Sequence, residues 1–105
     1  MNFDEYQVEA VKTRHVRADA VYLAAKLTIE AAEVAQPIIK DAYHDKPAAA
    51  DDIAEELGDV LWYLANLADL CDMTLADIAA ANIAKLRARH GETYNAAHYT
   101  GKVTA

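Results

Sequence analysis

The sequence predicts an all-α protein, a bundle of four to five helices. Two observations carry this expectation. Only three glycines and two prolines occur in 105 residues, and alanine, leucine and glutamate are abundant, so there is little material for tight hairpin turns. The apolar residues also recur at the 3.6-residue helical period rather than in strand-like alternation. At this length a single domain spanning residues 1–105 is expected, with one core and a modest folding margin.

The elements follow in order. A first helix is expected over residues 3–14, because Asn2 with Glu5 three positions later resembles a capping box and Phe3, Tyr6, Ala10 and Val11 share one face. A second is expected from about Asp19 to Tyr43, with Leu23, Leu27, Val34 and Ile38 as its stripe. Pro37 interrupts that stripe and should kink or split the helix, since proline removes a donor and crowds the preceding turn. The segment HDKPAAADD reads as a connection whose Asp51 or Asp52 caps a third helix running to about Leu70. Its stripe is Ile53, Leu57, Val60, Leu61, Leu64, Leu67 and Ala68. Thr74 with Asp77 resembles another capping box, and a fourth helix should run from there to His90 with Gly91 as its terminator. The tail ETYNAAHYTGKVTA shows no period, and no internal repeat is visible.

Composition excludes several function classes. A formal net charge of −7 argues against nucleic acid as a partner, because phosphate neutralisation needs clustered lysine and arginine. The single Cys71 cannot form an internal disulfide and has no zinc-type cluster around it, which points to a reducing cytoplasm. The acidic N-terminus MNFDEYQ does not resemble a secretory leader, and no apolar run approaches the roughly 18 residues that a membrane span needs.

The informative residues are four acids. Glu30 and Glu33 stand three positions apart within the aliphatic stretch IEAAEVA, and Glu56 and Asp59 repeat the spacing within EELGDVLWYL. On a helix each pair is separated by about 60°, at the shoulder of the apolar stripe, so two helices packed through their stripes would gather four carboxylates at one edge. Two unit charges about 4 Å apart repel by roughly 4 kcal/mol at an effective dielectric of 20. Left unneutralised, such a cluster would cost stability on the scale of a small domain's whole margin. A hard divalent cation answers the difficulty: Mg²⁺ or Mn²⁺ prefers carboxylate and water oxygens, and no histidine or cysteine accompanies the acids to indicate zinc. The missing Glu-x-x-His pattern also speaks against a di-iron bundle. On the fourth helix, Asn82, Lys85 and Arg89 interrupt the buried face, and a cation with an amide beside a metal cluster suits a phosphate chain. Magnesium is commonly completed by substrate phosphates, which makes a polyphosphate ester the natural ligand.

At these residues the chain resembles the MazG-like nucleotide pyrophosphohydrolases, an all-α family that splits nucleoside triphosphates into monophosphate and pyrophosphate. The family pattern of E-x-x-E followed by E-x-x-D reads here as Glu30, Glu33, Glu56 and Asp59, and NIAKLRARHG resembles the closing helix, with Asn82 and Lys85 at matching positions. The resemblance covers about Tyr6 to Tyr94. One departure is Ala32, where many members carry glycine between the two glutamates. The resemblance implies that the four acids hold Mg²⁺, with Mn²⁺ able to substitute, and that water attacks the α-phosphorus to release pyrophosphate. It leaves Glu33 and Glu55 as alternative general bases. Lys85 and Asn82 become candidates for the phosphates, with Lys26 and Arg89 behind them.

Blander readings stand beside these. The acids alone fit a solvated face, Lys85 and Asn82 an ordinary helix surface, and Lys26 an intrahelical ion pair with Glu30. Trp62 lies nearly opposite the stripe of its helix, where it either stacks on a base or, as the reading favoured here, lines a subunit contact; Tyr63 presents the same choice. Gly58 reads as a point of close helix approach. Together these features lead to the expectation of a homodimer or homotetramer. Two other functions compete: a narrow pyrophosphatase for dUTP, dCTP or phosphoribosyl-ATP, and a non-catalytic helical module that binds metal or nucleotide.

Overall fold

In a computed structural model of the chain, residues 1–44, 47 and 49–91 are described. They form four helices and no strand: α1 (Phe3–Lys12), α2 (Ala20–His44), α3 (Ala50–Leu70) and α4 (Leu75–His90). The tail residues Tyr94, His98 and Tyr99 lie outside the described residues.

Local chemistry explains most of the boundaries. The Glu5 amide donates to Asn2 Oδ1 at 2.8 Å and the Asn2 amide donates to Glu5 Oε1 at 3.2 Å, so the expected capping box opens α1. The helix ends earlier than expected because Thr13 turns its amide and its hydroxyl onto the Ala10 carbonyl, at 3.1 and 2.7 Å. Asp19 starts α2 by accepting the Tyr22 amide at 2.8 Å. The expected split at Pro37 does not occur, since α2 runs through it without interruption. One missing amide is a local loss, and turns on both sides of Pro37 belong to a helix packed along α3.

Asp51 and Asp52 do not cap α3. The cap is Ala49, which has no side-chain bond to give, and both aspartates lie in the first turn, where their charge favours the helix N-terminus. The link after α3 closes with the Met73 amide on the Ala68 carbonyl at 2.9 Å and the Asp72 amide on the Asp69 carbonyl at 3.0 Å. This is a Schellman motif with Asp72 at φ 57° in the left-handed position that glycine usually fills. Thr74 then accepts the Asp77 amide at 3.1 Å, one half of the expected box, and Gly91 ends α4 at φ 78°.

Helix α3 is the centre of the arrangement. It packs against α2 on one side and against α1 and α4 on the other, while α4 makes no contact with α2 among the described residues. The face of α3 toward α1 carries Trp62, Ala65, Asn66 and Asp69, an i, i+3, i+4, i+7 series. The core there is small: Ala10, Ala65, Ala68 and Leu75, flanked by Tyr6, Leu61 and Trp62. Three residues expected in buried stripes are instead open in the single chain, Leu57 at 53%, Leu64 at 41% and Ile38 at 49% exposure. Among the described residues nothing lies within 4 Å of where a Gly58 side chain would begin, so none of the four helices uses the expected close approach. Trp62 is not exposed as expected, because α1 covers the sector of α3 opposite the stripe.

Polar side chains bind α1 to α3. Gln7 donates to the Ala65 and Met73 carbonyls at 3.0 and 3.1 Å and accepts the Leu75 amide at 3.0 Å. The fully buried Asn66 donates to the Trp62 carbonyl at 3.0 Å and the Ala10 carbonyl at 3.5 Å. Arg14 Nη1 closes the set on Asn66 Oδ1 at 3.2 Å and Asp69 Oδ2 at 2.9 Å. Among the described residues no helix is long and apolar enough to cross a membrane.

Candidate active site

The seam between α2 and α3 has the opposite character. Glu30 and Glu33 project from α2 and Glu56 from α3, and carboxylate oxygens of the three lie within 4.8 Å of one another. Asp59, one turn after Glu56, is not in that convergent set but lines an adjoining recess with Glu30, Trp62 and Tyr63. Glu30 is 9% exposed. Its Oε2 and the Oε2 of Glu56 are buried without a hydrogen-bond partner.

The electrostatics follow from this placement. Burial and then the charges of Glu33 and Asp59 push the Glu30 carboxyl above its ordinary value, with Lys26 pulling the other way. Burial followed by Glu33, Asp59, Glu30 and Glu55 does the same to Glu56. Tyr63 is raised by burial, by Tyr22 and by Glu30, and Tyr6 by burial and Asp59, so the negative potential reaches both aromatic neighbours. A site that disfavours its own anions, leaves two carboxylate oxygens unpartnered and supplies only oxygen donors fits a hard divalent cation.

A second recess, of about 340 Å³, runs from the acids toward the α2–α3 connection. Glu33, Glu55 and Glu56 form its acidic end, and Gln36, Pro37 and Lys40 continue it along α2. Comparison with known sequences decides what this seam belongs to. The profile of the MazG nucleotide pyrophosphohydrolase domain matches residues 20–94, the segment that contains all four acids and both helices of the seam. The chain belongs to the MazG family. It is also 33% identical over 102 residues to the Gene 37 protein of Mycobacterium phage L5, covering 85% of this chain and 89% of the relative. No solved structure matches it.

The remaining candidate residues of this MazG domain are distributed unevenly. Lys26 Nζ lies 3.9 Å from Glu30 Oε1 on the same helix, the intrahelical pair that its spacing allowed. Glu55 is exposed and lines the second recess. Asn82, Lys85 and Arg89 are all exposed on α4, which does not touch α2 in the single chain. Trp62 and Tyr63 do reach the acids, packed edge to face with ring centroids 4.8 Å apart. Three participants were not anticipated. Gln36 and Lys40 were legible, since they repeat the Glu33 face at i+3 and i+7. Tyr22, which interacts with Tyr63, depends on the register between α2 and α3, and no local signal announces it.

Proposed function

We propose that this MazG domain, with residues 1–105 acting as one unit, is a nucleoside triphosphate pyrophosphohydrolase that cleaves between the α- and β-phosphates. The observation that carries the reading is the convergence of Glu30, Glu33 and Glu56, with two buried oxygens left unpartnered, between the two helices matched by the family profile. Glu30, Glu33, Glu56 and Asp59 would hold Mg²⁺, or Mn²⁺ in its place, which when bound supplies neutralisation of phosphate charge and a lowered pKa for water. Of the two candidate bases, Glu55 is favoured. Glu33 belongs to the convergent set, whereas Glu55 lines the same recess from outside it. Glu55 takes the proton of the water that attacks the α-phosphorus; a new P–O bond forms, the bond to the bridging oxygen breaks, and pyrophosphate leaves with that oxygen.

The polar residues of α4 require a further element. Asn82, Lys85 and Arg89 would meet the phosphates from a second copy of the chain, in a homodimer or homotetramer. Support for the assembly comes from Ile38, Leu57 and Leu64, which are apolar, exposed and aligned on the stripes of α2 and α3, and from the open space around Gly58. The free, exposed Cys71 suits a reducing cytoplasm.

Incubation with a panel of NTPs and dNTPs and Mg²⁺, followed by separation of products, tests the reaction. Nucleoside monophosphate and pyrophosphate are expected in equal amounts, and Glu55→Gln should lower kcat by about 100-fold or more. Release of orthophosphate and a nucleoside diphosphate would sink the assignment.

A further inference from the structure

Helix α1 lies before the segment matched by the family profile, yet one of its contacts reaches the site. Trp62 Nε1 donates to Thr13 Oγ1 at 2.7 Å, and the Thr13 hydroxyl in turn donates to the Ala10 carbonyl at 2.7 Å. Because the hydroxyl proton is committed to the end of α1, its lone pairs are directed and can receive the indole N–H. The ring is held on other sides as well. It packs against the Ala10, Ala65, Ala68 and Leu75 cluster and stands edge to face with Tyr63. The same ring lines the recess that contains Glu30 and Asp59. An aromatic wall anchored through its only polar atom cannot rotate without breaking that bond.

We propose that Thr13 is a positioning residue, holding the Trp62 indole as the surface on which the nucleobase stacks beside the carboxylates. The inference rests on the nucleoside triphosphate reading given above. Stacking on an indole is tolerant of base identity, because every base has a π face, so Thr13 governs affinity for nucleotides in general rather than the choice among them. It has no part in the phosphoryl transfer itself, and its loss should appear in KM and not in kcat.

Trp62 is the sole tryptophan of the chain, so fluorescence excited at wavelengths beyond tyrosine absorption reports on this ring alone. The full chain is compared with Thr13→Val, Thr13→Ser, Trp62→Phe and Arg14→Gln. Thr13→Val should raise KM for a nucleoside triphosphate about five-fold or more with kcat within about two-fold, and shift the Trp62 emission to the red. Thr13→Ser should restore both. Trp62→Phe, which keeps an aromatic ring but has no N–H to anchor, should raise KM similarly, and combining it with Thr13→Val should add nothing further. Arg14→Gln loosens the same helix contact through Asp69, and should lower Tm while leaving KM and the emission unchanged. The proposal is overturned if Thr13→Val leaves KM unchanged, or if Arg14→Gln raises it equally, since the bond would then only staple α1 in place. If Thr13→Val does not fold, Trp62→Phe with unchanged KM overturns it as well. Wild-type protein that releases no monophosphate would instead sink the hydrolase reading and this inference with it. Normal wild-type turnover beside an unaltered Thr13→Val sinks the Thr13 role alone.

Discussion

Helix α3 has two polar seams, and they are built on opposite rules. Toward α1, both amide hydrogens and the oxygen of Gln7 have partners, and the fully buried Asn66 exchanges bonds with two helices and with Arg14. Toward α2, carboxylates of like charge converge and two of their buried oxygens have no partner. A buried polar group that is matched specifies how two helices meet; one that is left unmatched costs stability until something outside the chain matches it. The first seam therefore belongs to folding, and the second is the one on which the proposed function rests.

The contrast breaks most decisively at the acids. Glu56→Gln should reduce turnover by about 1000-fold while leaving the metal-free protein as stable as before or more so, measured by product formation and thermal unfolding side by side. An equal loss of stability and activity would mean that the acids hold the fold together after all. At the other seam the reverse is expected. Asn66→Ala should cost about 3 kcal/mol in urea unfolding, because the Ala10 and Trp62 carbonyls and the Arg14 guanidinium all lose a partner.

The pH dependence sharpens the same distinction. Glu30 and Glu56 are raised in the folded chain, so the folded state holds their protons more tightly than the unfolded one. Their contribution is present below the ordinary value near 4.5 and is lost as pH rises through the folded values. Metal-free protein should thus lose Tm as pH rises above the ordinary value near 4.5, with Glu30→Gln/Glu56→Gln flattening the slope. Mg²⁺ at ten times its dissociation constant should add about 1.4 kcal/mol at neutral pH and progressively less toward pH 5. The smallest effect concerns neither seam: Asp72→Gly should stabilise the chain by about 0.5 kcal/mol, by relieving the left-handed backbone at φ 57°.

How much of this was legible in the sequence differs between the seams. That Glu30, Glu33 and Glu56 meet at one edge was legible, because each pair lies within one turn of one helix and the apolar stripe shows which edge it occupies; the place of Asp59 outside that set was not. Helix ends marked by side-chain caps, Asn2 and Thr74, were equally readable, while Ala49, which caps with no side chain, was not. The core was read less well. Periodicity shows that Leu57 and Leu64 favour burial without showing what buries them, and in the single chain both remain about half exposed. The series Trp62, Ala65, Asn66 and Asp69 was present throughout as a second face of α3. Its small and polar residues gave a weak hydrophobic signal, so the seat of α1, and with it the surroundings of Trp62, became visible only in three dimensions.

Proline in an unbroken helix has one more effect. Lacking an amide hydrogen, Pro37 leaves the main-chain carbonyl four residues earlier, that of Glu33, without its helical donor, and both residues line the second recess. The turn thereby gains a neutral dipole beside the anionic groups. A main-chain oxygen of this kind attracts water or a cation without adding to the crowding of negative charge, and no side-chain substitution at position 33 can remove it.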